Sequence, residues 1–125
     1  MSIKVGDIIL YRGLPVRLMS EYASRMRLSH FGLVRATVNN VILVKSVVLP
    51  ELKISDLVIV NDIPQDDKDQ YVTSWQPKHE DIVKSKMPHK IDAIKDSQYF
   101  GLVVKINDMW FLPYHLEPAP NYDMI

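Results

Sequence analysis

The sequence predicts a mainly β fold: a small barrel or strongly bent antiparallel sheet, a long irregular or helical insertion, and a C-terminal hairpin. Three observations carry this. Arginine alternates with apolar residues over Val16–Leu28, the period of a half-buried strand. Asn39-Asn40 and Asn107-Asp108 each separate two apolar runs, and these residue types tolerate the left-handed backbone of a tight hairpin. Between the β-rich ends, Asn61–Ser97 contains Pro64, Pro77, Pro88 and the polar run Gln65–Gln70, which interrupts any strand pattern.

In chain order, Asp7–Tyr11 is a short apolar strand closed by a turn at Arg12-Gly13 and Pro15. Val16–Met19 and Met26–Leu28 flank Glu21-Tyr22-Ala23-Ser24 as a hairpin with a longer loop. Phe31–Val38 and Val41–Leu49 read as a hairpin about Asn39-Asn40, and Leu57–Val60 as one more strand. Residues 61–97 read as an excursion wrapped outside the sheet, with short helices near Asp69–Trp75 and His79–Met87 and with Tyr71 and Trp75 pinning it to the core. Tyr99–Ile106 and Met109–Leu112 form the last hairpin, which Pro113, Pro118 and Pro120 end. The division is therefore 1–60 for the barrel-like part, 61–97 for the insertion and 98–125 for the hairpin and tail, within one domain of 125 residues. Phe31-Gly32-Leu33-Val34 recurs as Phe100-Gly101-Leu102-Val103, either as a duplicated hairpin or as two hairpins built from the residues hairpins need.

The 47% hydrophobic and 24% charged content is that of a globular protein. No run of about 18 apolar residues is present to span a membrane. The chain contains no cysteine, which excludes disulfides, thiolate metal sites and cysteine nucleophiles together. Met1-Ser2-Ile3-Lys4 leads straight into a strand without signal-peptide character, so cytoplasmic residence is expected.

The formal net charge of zero conceals a polarised molecule. Residues 1–50 carry seven basic against two acidic side chains, a net of +5, and residues 51–125 carry the opposite balance. All five arginines (Arg12, Arg17, Arg25, Arg27 and Arg35) lie in the first part. Arginine engages phosphate and carboxylate in a bidentate way, so an anionic partner is expected there. Strand alternation sets Arg17 opposite Val16 and Leu18, and puts Arg25 and Arg27 on one face, gathering three guanidiniums on a single exposed surface. Tyr11 and Tyr22 are near enough to serve as stacking platforms. The competing reading is a solvated face or guarded sheet edge.

Val5-Gly6-Asp7-Ile8-Ile9-Leu10-Tyr11-Arg12-Gly13, with the hairpin that follows, resembles the opening of Tudor- and KOW-type small barrels over residues 3–60. That resemblance implies a module that binds nucleic acid, a peptide or a modified side chain through loops and exposed aromatics. The long middle insertion departs from it. A second resemblance, from Gly6–Gly13 with Ser29-His30-Phe31-Gly32, is to circularly permuted papain-type, LRAT-like hydrolases, and it implies His30 as the base. Their nucleophile is a cysteine, which this chain lacks, so the likeness indicates a non-catalytic relative or is accidental.

His79-Glu80-Asp81 with His89 fits no zinc spacing, and the four glycines at 6, 13, 32 and 101 form no phosphate loop. The Asp66–Asp69 run reads as a solvated loop, or as a phosphate mimic for a basic partner. Met109-Trp110-Phe111 reads as core or as an exposed anchor, with His115 packing on Trp110. The expectation is a binding module, not an enzyme, with no cofactor and no metal. Its ligand is nucleic acid or a nucleotide phosphate, met by Arg12, Arg17, Tyr22, Arg25, Arg27 and Arg35. The alternative is a protein-interaction module that regulates or inhibits another protein, and a homo-oligomer pairing basic and acidic halves suits either.

Overall fold

A computed structural model of the chain describes residues 3–120. The fold is mainly β, with antiparallel sheets and a few short helices. Its strands are β1 (Ile8–Tyr11), β2 (Leu14–Tyr22), β3 (Arg25–Leu28), β4 (Gly32–Val34), β5 (Ile42–Lys45) and β6 (Leu57–Val60), followed after two helices by β7 (His89–Lys90), β8 (Ala93–Ser97), β9 (Gly101–Ile106), β10 (Met109–Phe111) and β11 (Leu116–Pro118). The helices are α1 (Gln65–Lys68) and α2 (Pro77–Ser85). Three sheets result, in the orders β4-β3-β2-β1-β5, β10-β9-β8 and β11-β6-β7. None closes into a barrel. Of the two expected forms, the open sheet is the one that occurs.

The five-stranded sheet buries Ile9, Val16, Leu18, Met26 and Leu28 on one face. Alternation sets their neighbours Arg17 and Arg27 on the other. A bulge between Leu18 and Ser20 in the β2–β3 register adds Met19 as an extra residue. Leu18 stays in the first core while Met19 enters the second. That second core collects Val58 and Val60 of β6, Tyr71, Ile82 and Val83 of the helical region, and Val104, Ile106, Phe111 and Leu112 of the last hairpin. Full burial of each such Leu, Ile or Phe stabilises the fold by about 1.5–3 kcal/mol.

Start and turn chemistry explain the ends of β1. Asp7 is buried and accepts the amides of Lys4 and Val47 at 2.9 and 2.8 Å, tying the strand entrance to the chain after β5. Gly6 adopts φ +100°, and a Cβ there would lie 3.0 Å from the Tyr114 ring. Arg12 and Gly13 both take positive φ, giving the two-residue turn that pairs Tyr11 with Leu14.

Several expectations need correction. The loop between β2 and β3 is the two-residue Ala23-Ser24 rather than a longer one, since β2 runs on to Tyr22. Asn39-Asn40 makes no hairpin: these residues end a 3-10 turn, β4 pairs with β3, and β5 pairs with β1 at the far edge. Asparagine tolerates a left-handed backbone but does not impose one. The connecting Ala36, Val38 and Val41 pack on the first core, which carries the chain across the sheet instead of back along it. The Phe-Gly-Leu-Val copies are therefore not duplicated hairpins. They share only a positive-φ glycine at a strand entrance, Gly32 and Gly101.

The first sheet also ends earlier than expected, because β6 pairs with β11 and β7. Residues 61–97 are not merely wrapped outside: they hold both helices, β7 and β8, and bury Tyr71, His79, Ile82, Val83 and Ile91. The helices lie at 65–68 and 77–85 instead of near 69–75 and 79–87. Tyr71 and Trp75 do pin this stretch to the core. The hairpin about Asn107-Asp108 forms as expected, with both residues at positive φ.

Candidate functional site

Ser20 and Tyr22 of β2, Arg25 and Arg27 of β3, and Leu33 of β4 form one wall of a cleft of about 440 Å³. Residues 71–74, Tyr99 and Phe100 form the opposite wall. Register explains the first wall: Ser20 pairs with Arg27 and Tyr22 with Arg25, so strand alternation brings all four to one face. The Met19 bulge shifts β2 by one residue and is what puts Ser20 and Tyr22 there. Tyr22 and Tyr99 meet edge to face at 5.0 Å between ring centres, and both are exposed. The Glu21 amide donates to the Tyr99 carbonyl at 3.1 Å, fixing the distance between the walls.

Arg27 donates from Nη1 to Gln70 Oε1 at 2.9 Å, which fixes one end of its guanidinium. Neither Arg25 nor Arg27 has a carboxylate partner among the described residues. Arg17 does not join them. Its Nε lies 3.6 Å from Asp67, its Nη1 donates to the Gly6 carbonyl, and its guanidinium sits 4.6 Å from the Tyr114 ring centre. The expected cluster of three exposed guanidiniums is thus two in one cleft and one committed to an internal ion pair. The reason is the acidic helix. Alternation aims Arg17 at the face on which α1 docks, and sequence periodicity does not show what covers a face.

Arg12 occupies the β1–β2 turn, 5.6 Å from the Tyr11 ring centre, and Arg35 is exposed beyond β4. Neither lines the cleft. Tyr11 is half-buried against the first core and edge-on to Phe31, so it offers no free platform. The lining residues not expected from the sequence are Ser20, Leu33, Tyr99, Phe100 and the 71–74 segment. Tyr99 stood out only as the start of the last hairpin, and Phe100 only through the repeated tetrapeptide.

No protein-family model, curated protein or solved structure matches this chain.

Beneath the cleft lies a buried polar network. Asp67, expected to be solvated, is buried between Arg17 and His115, whose Nε2 is 3.0 Å away. Tyr71 Oη receives the Leu112 amide at 2.9 Å and lies 3.2 Å from His115 Nδ1. The tyrosine proton then goes to Nδ1, so the imidazole is neutral and donates from Nε2 to Asp67. Burial holds His115 below its ordinary pKa, against the opposing pull of Asp67, and burial pushes Tyr71 up. His115 packs on Tyr71 and Tyr114, at 5.6 and 4.6 Å between ring centres, rather than on Trp110.

The remaining histidines are dispersed. His79 is buried against Trp75 at 4.7 Å, accepts the Gln76 amide at 3.0 Å and leaves Nε2 without a partner. Burial lowers its pKa; the Trp110 carbonyl pulls weakly the other way from near Nε2, without the geometry of a full hydrogen bond. Glu80 accepts from Lys68 and from the Trp75 indole, and these bonds lower its pKa. His89 lies 2.9 Å from the Ser85 hydroxyl. No group of three His, Asp or Glu able to hold a metal occurs among the described residues. His30 is exposed at positive φ, 3.6 Å from Asp66.

Proposed function

We propose that this protein is a non-catalytic binding module for an anionic ligand, nucleic acid or a nucleotide phosphate, held in the cleft between β3 and Tyr99. One observation carries the reading: Arg25 and Arg27, without carboxylate partners among the described residues, stand beside the exposed Tyr22 and Tyr99 rings. Guanidiniums bind phosphate oxygens in a bidentate way, and a ring next to them stacks on a base at about 1–3 kcal/mol per platform. Arg12 and Arg35 lie outside the cleft and add long-range attraction only. Arg17 supports the site from below.

The test is binding of a fluorescent oligonucleotide at increasing salt. Affinity falls with salt concentration, and Arg25→Glu with Arg27→Glu removes it while the thermal midpoint stays near that of the wild type. Unchanged binding by the double variant at low salt defeats the reading.

A second reading has its own observation. The outer strand β5 exposes Ile42 and Val44, and Val48 beyond it is 90% exposed. An apolar sheet edge of this kind suits pairing with a strand of another protein. A protein complex that survives nuclease and high salt, and is lost on Val44→Lys, supports that role instead. No helix among the described residues is long and apolar enough to cross a membrane. The absence of cysteine suits a reducing cytoplasm.

A further inference from the structure

We propose that the ligand of this cleft is a single strand of nucleic acid that continues over Tyr99 into a second cleft, where Trp110 and Lys95 receive the next nucleotide. The inference rests on the anion-binding reading of the first cleft and adds that the ligand is polymeric. The second cleft, also about 440 Å³, shares Val72, Thr73 and Tyr99 with the first. The two therefore adjoin, with an exposed aromatic ring at the junction.

Strand register places cation and ring together in the second cleft. Trp110 pairs with Lys105, Lys105 with Ala93, and Val103 with Lys95. Alternation then sets Lys95, Lys105 and Trp110 on one face of the β10-β9-β8 sheet. Val103 on the same face is buried and Trp110 rests half-buried on the second core, so the ring offers the cleft only its outer side, while Phe111 and Val104 turn to the opposite face. The Lys105 ammonium lies 5.8 Å from the Trp110 ring centre. Asp96 also lines the cleft, but alternation directs it away from Lys95.

The pattern across both clefts is one of repetition. Tyr22, Tyr99 and Trp110 provide rings, and Arg25, Arg27 and Lys95 provide cations, across the two adjoining clefts. A free nucleotide is held by one enclosed pocket with converging polar groups. Rings and cations recurring in adjoining clefts match the repeat of base and phosphate in a single strand, and such a surface tolerates sequence because every base has a stacking face. An acidic peptide would use the cations but leave the rings without planar partners.

The experiment compares thymidine monophosphate with oligothymidylate and oligouridylate hexamers on the full chain, by calorimetry and anisotropy. At least one hexamer is expected to bind about ten-fold or more tightly than the monophosphate, since a second stacked base adds that much; which hexamer binds tells DNA from RNA. Lys95→Ala, at an exposed site, is expected to weaken hexamer binding several-fold, to flatten its salt slope by about 0.7 for one lost phosphate contact, and to leave the monophosphate unaffected. Trp110→Phe keeps a ring and retains hexamer binding, whereas Trp110→Ala loses it. Equal affinity for monophosphate and hexamers overturns the inference while sparing the first cleft. So does hexamer binding that ignores Lys95→Ala. Displacement of the hexamer by polyglutamate at lower concentration overturns it in favour of a protein ligand. If no nucleotide probe binds at all, the reading of the first cleft fails and this one with it.

Discussion

Asp67 shows how much one side chain joins. It is 5% exposed, it meets Arg17 from the first sheet and His115 from the C-terminal segment, and its own helix carries the chain into the Tyr71 region. Replacing it with alanine leaves a partly buried guanidinium and an imidazole N–H without their acceptor. Asp67→Ala is expected to cost about 3 kcal/mol, the lower end for a broken buried pair because Arg17 keeps some contact with water. Asp69→Ala, two positions away and exposed, should cost under about 0.5 kcal/mol. Urea denaturation of the two variants measures the difference. The buried histidines set a pH limit. His79 and His115 both have folded pKa values lowered by burial, so the unfolded chain binds more protons as pH falls through the ordinary histidine range. Their contribution to stability is complete above pH ~6.5 and is lost below it, at up to about 1.4 kcal/mol per pH unit for each histidine. Urea midpoints at pH 7.5 and 5.5 check this, ahead of carboxylate titration. A midpoint unchanged over that range contradicts it.

Among the elements, β2 decides most. Nine residues long, it pairs with β1 and β3 and supplies Leu18 to one core and Met19 to the other. Its alternation is visible in the sequence, but the bulge is not, because Leu18-Met19 are simply two apolar residues in a row. The turn to β3 carries a local cost. Ala23 sits at φ 53°, where a Cβ is disfavoured by about 1–2 kcal/mol, and its exposed side chain makes no compensating contact with either core. Ala23→Gly relieves that strain but increases the freedom of the unfolded chain, so a net gain of about 0.5–1 kcal/mol is expected. The readout is a higher thermal midpoint, with ligand binding in the adjacent cleft retained. A lower midpoint shows that the turn does not hold the left-handed backbone.

At the scale of the whole molecule, the charge polarity of the sequence is used at least partly within the chain. Arg17 meets Asp67 and His30 meets Asp66, so the basic sheet docks on the acidic helix, and Arg27 adds a hydrogen bond to the neutral Gln70 just beyond it. Because β2 belongs to both cores, the sheet and the C-terminal body are expected to unfold together. Trp75 and Trp110 both report on the second core. Tryptophan fluorescence and far-ultraviolet circular dichroism should therefore give coincident urea transitions. A circular-dichroism transition without a fluorescence counterpart shows that the first sheet melts alone.

Local chemistry alone determined the mainly β class, β1, β6, the β2–β3 pairing and the Asn107-Asp108 hairpin, because alternation and turn residues act over a few neighbours. Arg25 and Arg27 were legible as one face for the same reason, whereas Tyr22 was singled out only by its nearness in sequence and reaches that face through the Met19 bulge. Tertiary contacts decided the rest. Apolar packing drew Ala36, Val38 and Val41 across the sheet and cancelled the Asn39-Asn40 hairpin. Docking of α1 turned an acidic run into the buried partner of Arg17. The opposite wall of the cleft, Tyr99, comes from a segment more than seventy residues beyond β3. No local period encodes such a meeting, since it depends on which surfaces exclude water from one another once the strands have formed.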